Sequence, residues 1–172
     1  SKIHDLSVLD QKNIIKPEQV ITDSSTRSPV GFTMPFVDDT YILCQLFPKA
    51  FRDREKLSQQ QVADLVKILK DMVDFVHSKQ ILIVDLNEMN LLVSKHFNQI
   101  YAIDVDNWQT KSHPCLAVMD NIRDPHSKMF SELTDWYSFA ITSFQLFVGL
   151  HPYAGRYKPV NGWKERMEKN IS

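Results

Sequence analysis

The sequence predicts a mixed α+β fold, with a small sheet near the N-terminal end and a mainly helical remainder built around one hairpin. Three observations predict it. From Ser58 on, Val62, Leu65, Val66, Leu69, Met72, Val73 and Val76 recur at three- and four-residue intervals opposite Lys67, Lys70, Asp71 and Asp74, the period of an amphipathic helix over 58–78. A second helix opens at Thr134, is apolar on nearly every face, and belongs in the middle of the domain. Between the two, residues 91–93 and 100–103 are short apolar runs joined by a turn over 94–99, which is a hairpin pattern.

Ahead of the first helix, residues 1–24 hold two apolar clusters, at 3–9 and 14–21, the second broken by Lys16-Pro17. Ile14-Ile15 reads as a strand end and Val20-Ile21-Thr22 as a strand, and the polar run 23–29 is a turn. A strand over 30–36 follows, ending at a proline that has no N–H for a central ladder. Residues 40–47 are expected to form a helix of two turns, and 48–56 a loop of mixed charge. Ser58 with Gln61 makes a capping-box start. His77, near the end of that helix, is expected to cap it or compensate its dipole rather than to act as a ligand. Residues 109–132 are expected to be a long irregular stretch, functional or disordered, with His113 and His126 as loop residues. Gly149 stops the second helix, with Pro152 just beyond.

Asp85 and Asn90 precede the first run of the hairpin, and Asp104 and Asp106 close the second, so the hairpin brings four polar side chains to one edge. Carboxylates and a carboxamide without Cys or His are hard oxygen donors. They suit Mg²⁺, or Mn²⁺ in its place, better than zinc or copper. Asp and Asn are also ordinary turn residues beside strands, so only the ordered combination carries chemistry. Asp135, in the first turn of the second helix, complements the helix dipole. A charge at the mouth of a buried helix must also find partners, which makes it a candidate strut for a neighbouring loop.

The bulk properties exclude several classes. A chain of 172 residues is long enough for one domain with its own core, and a formal net charge of −1 gives no electrostatic case for nucleic acid or an acidic membrane surface. No apolar run approaches a transmembrane span. Cys44 and Cys115 lie far apart without metal-ligand spacing, so free thiols in a reducing, cytoplasmic setting are expected.

In this order the motifs resemble the protein-kinase superfamily over most of the chain. The run Asp85-Leu86-Asn87-Glu88-Met89-Asn90 resembles the catalytic loop, which implies that Asp85 orients or deprotonates an acceptor hydroxyl and that Asn90 holds Mg²⁺. Ile103-Asp104 at a strand end resembles the metal-binding D-F-G motif, and Asp106 is left as a second ligand or a structural acid. Asp135-Trp136-Tyr137-Ser138 resembles the start of the central helix of the C-lobe, whose aspartate buttresses the catalytic loop through backbone N–H groups. The stretch from Gly31 to Val37 resembles the last N-lobe strand and hinge. That implies adenine contacts at Met34, Pro35 and Phe36, with Leu92 among the nucleotide contacts. The likeness is greatest to a bacterial and phage group with a D-x-N-x-x-N loop, an I-D-x-D strand end and a G-x-H-P-[FY]-x-G run, here Gly149-Leu150-His151-Pro152-Tyr153-Ala154-Gly155.

The departures are equally specific. Ile83 and Val84 stand where many protein kinases have His-Arg, and Asn87 replaces a lysine, able to hydrogen-bond a phosphate without bringing charge. The four glycines, at 31, 149, 155 and 162, leave none for a phosphate-gripping G-x-G-x-x-G turn, and no Val-Ala-x-Lys strand is visible. The resemblance therefore implies a piece of a longer polypeptide. Residues 1–37 would be partial N-lobe strands and hinge, and 38–172 a C-lobe truncated at its C-terminal end. Such a piece is not expected to be active alone and should expose an apolar patch around Ile14, Val20 and Phe32.

The implied activity is ATP- and Mg²⁺-dependent transfer of a γ-phosphoryl group to a protein or small-molecule hydroxyl, in the manner of a Ser/Thr kinase. A pseudokinase, binding nucleotide or protein without turnover, is the alternative from another class, motivated by Val84, Asn87 and the missing phosphate loop. An unrelated α+β domain would lack the hairpin between 91 and 104.

Overall fold

The computed structural model describes residues 1–115, 118–156, 158–160 and 162–172. Among them the helices are α1 (Lys2–Leu6), α2 (Lys49–Glu55), α3 (Gln59–Ser78), α4 (Glu132–Val148) and α5 (Trp163–Glu168). The strands are β1 (Gln19–Thr22), β2 (Pro29–Thr33), β3 (Thr40–Ile42), β4 (Leu91–Ser94) and β5 (Ile100–Ala102). None of the described helices is long and apolar enough to cross a membrane.

Helix α3 begins where its cap requires. Ser58 Oγ accepts from the Gln61 N–H at 3.1 Å and Gln61 Oε1 from the Ser58 N–H at 2.9 Å, which partners two donors that the first turn otherwise leaves free. Its periodic stripe from Val62 to Val76 is buried except for the half-buried Val66, and packs with Leu43, Leu46, Leu91, Ile100 and Leu146 in the main core. The hairpin forms as the apolar runs predict, with Leu91 opposite Ala102 and Val93 opposite Ile100.

Residues 40–47 differ from expectation. The first three are β3, antiparallel to β4 with Tyr41 opposite Val93, and only Leu43–Leu46 is helical, as a 3-10 turn. The free edge of β4 supplies a ladder that a two-turn helix there would forgo. The Tyr41 ring then stacks on Phe97 at 5.9 Å and meets the edge of Phe51 at 4.9 Å. Residues 48–56 are likewise not a loop but hold α2, whose mixed charge is a solvated face above the buried Phe51. Arg52 ties it down: Nε donates to the Leu46 carbonyl and Nη2 to the Leu146 carbonyl, both at 2.6 Å.

The N-terminal residues divide differently from the sequence reading. Leu6, Leu9 and Ile14 are buried in the main core, and Ile15 N–H donates to the Ala102 carbonyl while Ala102 N–H donates to that of Asn13. Ile14 therefore bridges β5 in the parallel sense instead of ending a strand of the N-terminal sheet. Strands β1 and β2 pair only with each other, Gln19 opposite Thr33, and every residue of both is exposed. The expected apolar patch accordingly includes Val20, 48% exposed, and Phe32, 37% exposed, but not Ile14, at 4%.

Helix α4 starts two residues before Thr134, because the Thr134 hydroxyl oxygen accepts from the Ser131 N–H at 2.9 Å. It is not buried all round: Ile141 and Leu146 face the interior, whereas Phe144 and Phe147 remain more than 40% exposed. Gly149 ends it at φ +83°, packed so closely on Phe47 that a Cβ would lie 2.6 Å from that residue's carbonyl oxygen.

Candidate active site

Between α3 and β4 the backbone passes through Val84 at φ +63°, a left-handed conformation that a β-branched residue avoids. Asp135, in the first turn of α4 and fully buried, holds it there. Its Oδ1 accepts from the Val84 N–H and its Oδ2 from the Ile83 N–H, each at 2.8 Å. His77 completes the anchor, with Nε2 at 2.9 Å from Asp135 Oδ2. An ionised carboxylate only accepts, so Nε2 carries the hydrogen. The expected helix-capping role of His77 thus gives way to a buried bond linking the end of α3 to the start of α4, with the imidazole packed edge-on against Trp136 at 5.7 Å. Its place one turn after the buried Val73 was the signal in the sequence.

Asp85 follows at once. Its Oδ1 accepts from the Met119 N–H at 2.9 Å, its Oδ2 from Asn90 Nδ2 at 3.2 Å, and its carbonyl from the Asn87 N–H and again from Asn90 Nδ2. Asn87 was expected to reach a phosphate, but the structure buries it. Its Oδ1 accepts from the Met89 and Asn90 N–H groups at 2.8 and 3.1 Å, and its Nδ2 donates to the Asp85 carbonyl. Its carboxamide is occupied in closing the turn, so it shapes the loop.

The Ile103 N–H donates to the Asn90 carbonyl at 2.9 Å, which sets Asp104 one residue from Asn90 across the hairpin. Asp104 has φ +59°, and its Oδ2 accepts from Asn107 Nδ2 at 2.8 Å. Asp106 sits in the following 3-10 turn, Val105–Asn107, and is hydrogen-bonded to none of the other three.

A cleft of about 400 Å³ lies beside this edge, lined by Ile15, Met34, Pro35, Phe36, Val37, Leu92, Ile103 and Asp104. It brings the three hinge residues and Leu92 together with Asp104, apolar walls meeting one carboxylate. Among the described residues no three His, Cys, Asp or Glu side chains converge as a metal cage. The cleft is lined by one carboxylate, that of Asp104, while Asn90, one hairpin bond away, turns its Nδ2 to Asp85. Mg²⁺ keeps several waters and takes phosphate oxygens beside one or two protein ligands, a set that Asp104 with the Asn90 carboxamide oxygen would supply.

The irregular stretch after Trp108 runs to Ser131, and residues 116 and 117 within it lie outside the described residues. Two contacts within it were not legible in the sequence. Met119 meets Asp85, and Asp5 of α1 accepts from the Thr110 hydroxyl at 2.7 Å and pairs with His113 Nδ1 at 2.9 Å. Those two bonds, the Thr110 one foremost, hold the Asp5 carboxyl below the usual carboxylate range. His126 stays on the loop, where its N–H donates to Asp124. Cys44 and Cys115 form no disulfide. No known protein-family model matches this chain.

Proposed function

We propose that this chain carries the nucleotide cleft and catalytic loop of an ATP- and Mg²⁺-dependent phosphotransferase of the protein-kinase kind. The observation that carries the reading is the meeting of Met34, Pro35, Phe36 and Leu92 with Asp104 in one cleft, one hairpin bond away from the Asp85–Asn90 pair. Adenine would lie between Leu92 and the hinge backbone, and Asp104 with Asn90 would hold Mg²⁺. The metal, when bound, neutralises charge on the transferred phosphoryl group.

The chain's own part is positioning. Asp135 and His77 fix the strained backbone at Val84, Asn87 closes the turn behind it, and Asp85 meets the acceptor hydroxyl and takes its proton. A polypeptide acceptor is favoured over a small molecule, because the loop backbone at Met119 already bonds the Asp85 carboxylate as an acceptor chain would.

The test is Asp104→Asn in the full-length protein. It should abolish Mg²⁺-ATP turnover while leaving the circular dichroism spectrum unchanged; unaltered turnover would sink the assignment. The contact of Met119 with Asp85, together with the buried Asn87, supports a second reading as a nucleotide-binding module without turnover. Nucleotide binding by a full-length protein that transfers no phosphate would favour it.

A further inference from the structure

The anchor behind the Asp85 loop leaves one polar atom without a partner. His77 Nδ1 is buried and makes no hydrogen bond, in a residue that is only 9% exposed. Glu132 Oε2 lies 4.0 Å from it, on the same first turn of α4 that carries Asp135. With a single hydrogen, on Nε2, the ring therefore turns an unshared electron pair toward a carboxylate oxygen. Two acceptors facing each other out of water repel, and a second hydrogen on Nδ1 reverses the sign of that contact.

The charges around the ring favour its cationic form. From α4, Asp135 is fully buried with Oδ2 at 2.9 Å from Nε2, Glu132 faces Nδ1, and Trp136 packs at 82° to the imidazole. On α3 itself, Lys70 lies over the Trp136 ring at 5.9 Å and bonds Asp74 at 2.6 Å, and just past the helix Lys79 lies over Phe75. Residues 80–84, which lead into the loop, carry no charge. Burial by itself disfavours an imidazolium. The two carboxylates flanking the ring offset that cost, and Glu132, its side chain 62% exposed, gives a proton a way in from solvent.

We propose that His77 is a proton-sensing positioning residue: a second proton, taken up at Nδ1, joins Glu132, His77 and Asp135 into one chain of charge-assisted bonds that tightens the backbone beneath Asp85. Asp135 Oδ2 accepts from both His77 and the Ile83 N–H. What fixes that oxygen therefore also fixes Ile83 and, through Oδ1, Val84 at its left-handed φ. Asp85 is the next residue, so the loop is held more firmly on the acid side of the His77 titration and relaxes on the alkaline side. That this regulates phosphoryl transfer rests on the phosphotransferase reading; the proton linkage itself does not.

The experiment is a pH titration of the His77 ring nitrogens by NMR, in the full chain without nucleotide, beside hydrogen exchange at the Ile83 and Val84 amides corrected for intrinsic rates. The expected result is one hydrogen, on Nε2, at the alkaline end, a second arriving on Nδ1 as pH falls, and exchange of both amides slowed at least about threefold once it is there. Glu132→Gln, a change at an exposed side chain, should lower the midpoint by roughly half a pH unit, the scale of one partly exposed ion pair. His77→Gln, which retains a donor for Asp135, should remove the pH dependence of the exchange; if it does not fold, Glu132→Gln decides alone. A ring that stays singly protonated throughout, a midpoint unmoved in Glu132→Gln, or amide exchange indifferent to the titration would overturn the proposal. Proton linkage in a protein that transfers no phosphate refutes the phosphotransferase reading alone. Transfer by a protein without the linkage refutes the proton sensor alone.

Discussion

At the scale of single residues, Asp135 organises the most structure. One carboxylate accepts from Ile83, Val84 and His77, and no water reaches it. Replacing it with alanine strands three buried donors, so Asp135→Ala should lose about 3–5 kcal/mol of stability by urea denaturation. A loss under about 1 kcal/mol would mean that Val84 holds its left-handed backbone unaided. Asp23 is the opposite case, an exposed acid with a local function. Its Oδ1 accepts from the Ser25 hydroxyl, the Thr26 and Ser25 N–H groups and the Thr26 hydroxyl, and these bonds lower its pKa from 3.8 to about 2. Because the folded value lies below the unfolded one, the turn's stabilisation is whole above pH 3.8 and disappears as pH falls through about 2. A carboxyl titration by NMR should show that midpoint, and Ser25→Ala should raise it. A midpoint near 3.8 in the unmodified protein would contradict the turn geometry.

At the scale of elements, the joint between α2 and α4 decides how the helical part is assembled. Arg52 spans it with a fork that meets the Leu46, Leu146 and Phe147 carbonyls, the last two at the C-terminal end of α4, where a cation also suits the helix dipole. Lysine cannot reproduce a fork. Arg52→Lys should therefore cost about 1–2 kcal/mol in thermal or urea denaturation, and an unchanged midpoint would show that the fork contributes nothing net. Gly149 closes the same joint from the other side. Alanine there meets a left-handed φ and a backbone carbonyl that cannot swing away, so Gly149→Ala should destabilise by about 2 kcal/mol or more.

At the scale of the whole molecule, stability is unevenly distributed. The main core gathers α1, α3, the β3–β4–β5 sheet and one face of α4, and a smaller cluster of Ile122, Ile141, Tyr153 and Met167 supports the segment leading to α5. The β1–β2 ribbon shares in neither, and an isolated two-stranded hairpin is marginal in water. Hydrogen exchange should reflect this, with β1 and β2 amides exchanging well before those of α3 and β4. Equal protection would require a partner for the ribbon in solution.

The sequence alone determined the elements whose signals are local. The capped helix at 58–78, the hairpin at 91–102 and the stop at Gly149 were all legible, because periodicity, caps and left-handed glycines act within a few residues of themselves. It also marked Asp85, Asn90, Asp104 and Asp106 as a set by their order beside two short strands, and Asp135 separately as a strut for a neighbouring loop. Tertiary structure alone decided the rest. Thr40–Ile42 is a strand only because β4 presents an edge, and Lys49–Glu55 a helix docked through Arg52 onto carbonyls 94 residues away. His77 turned from a cap into the partner of Asp135, 58 residues distant, and Asn87 is buried with its carboxamide bonded to backbone in closing the turn. Glu88 and Gln145 share a cleft that their spacing does not foretell. The physical reason is common to these cases: a hydrogen bond or packing contact between distant residues has no periodicity, and its partner exists only once the chain has folded.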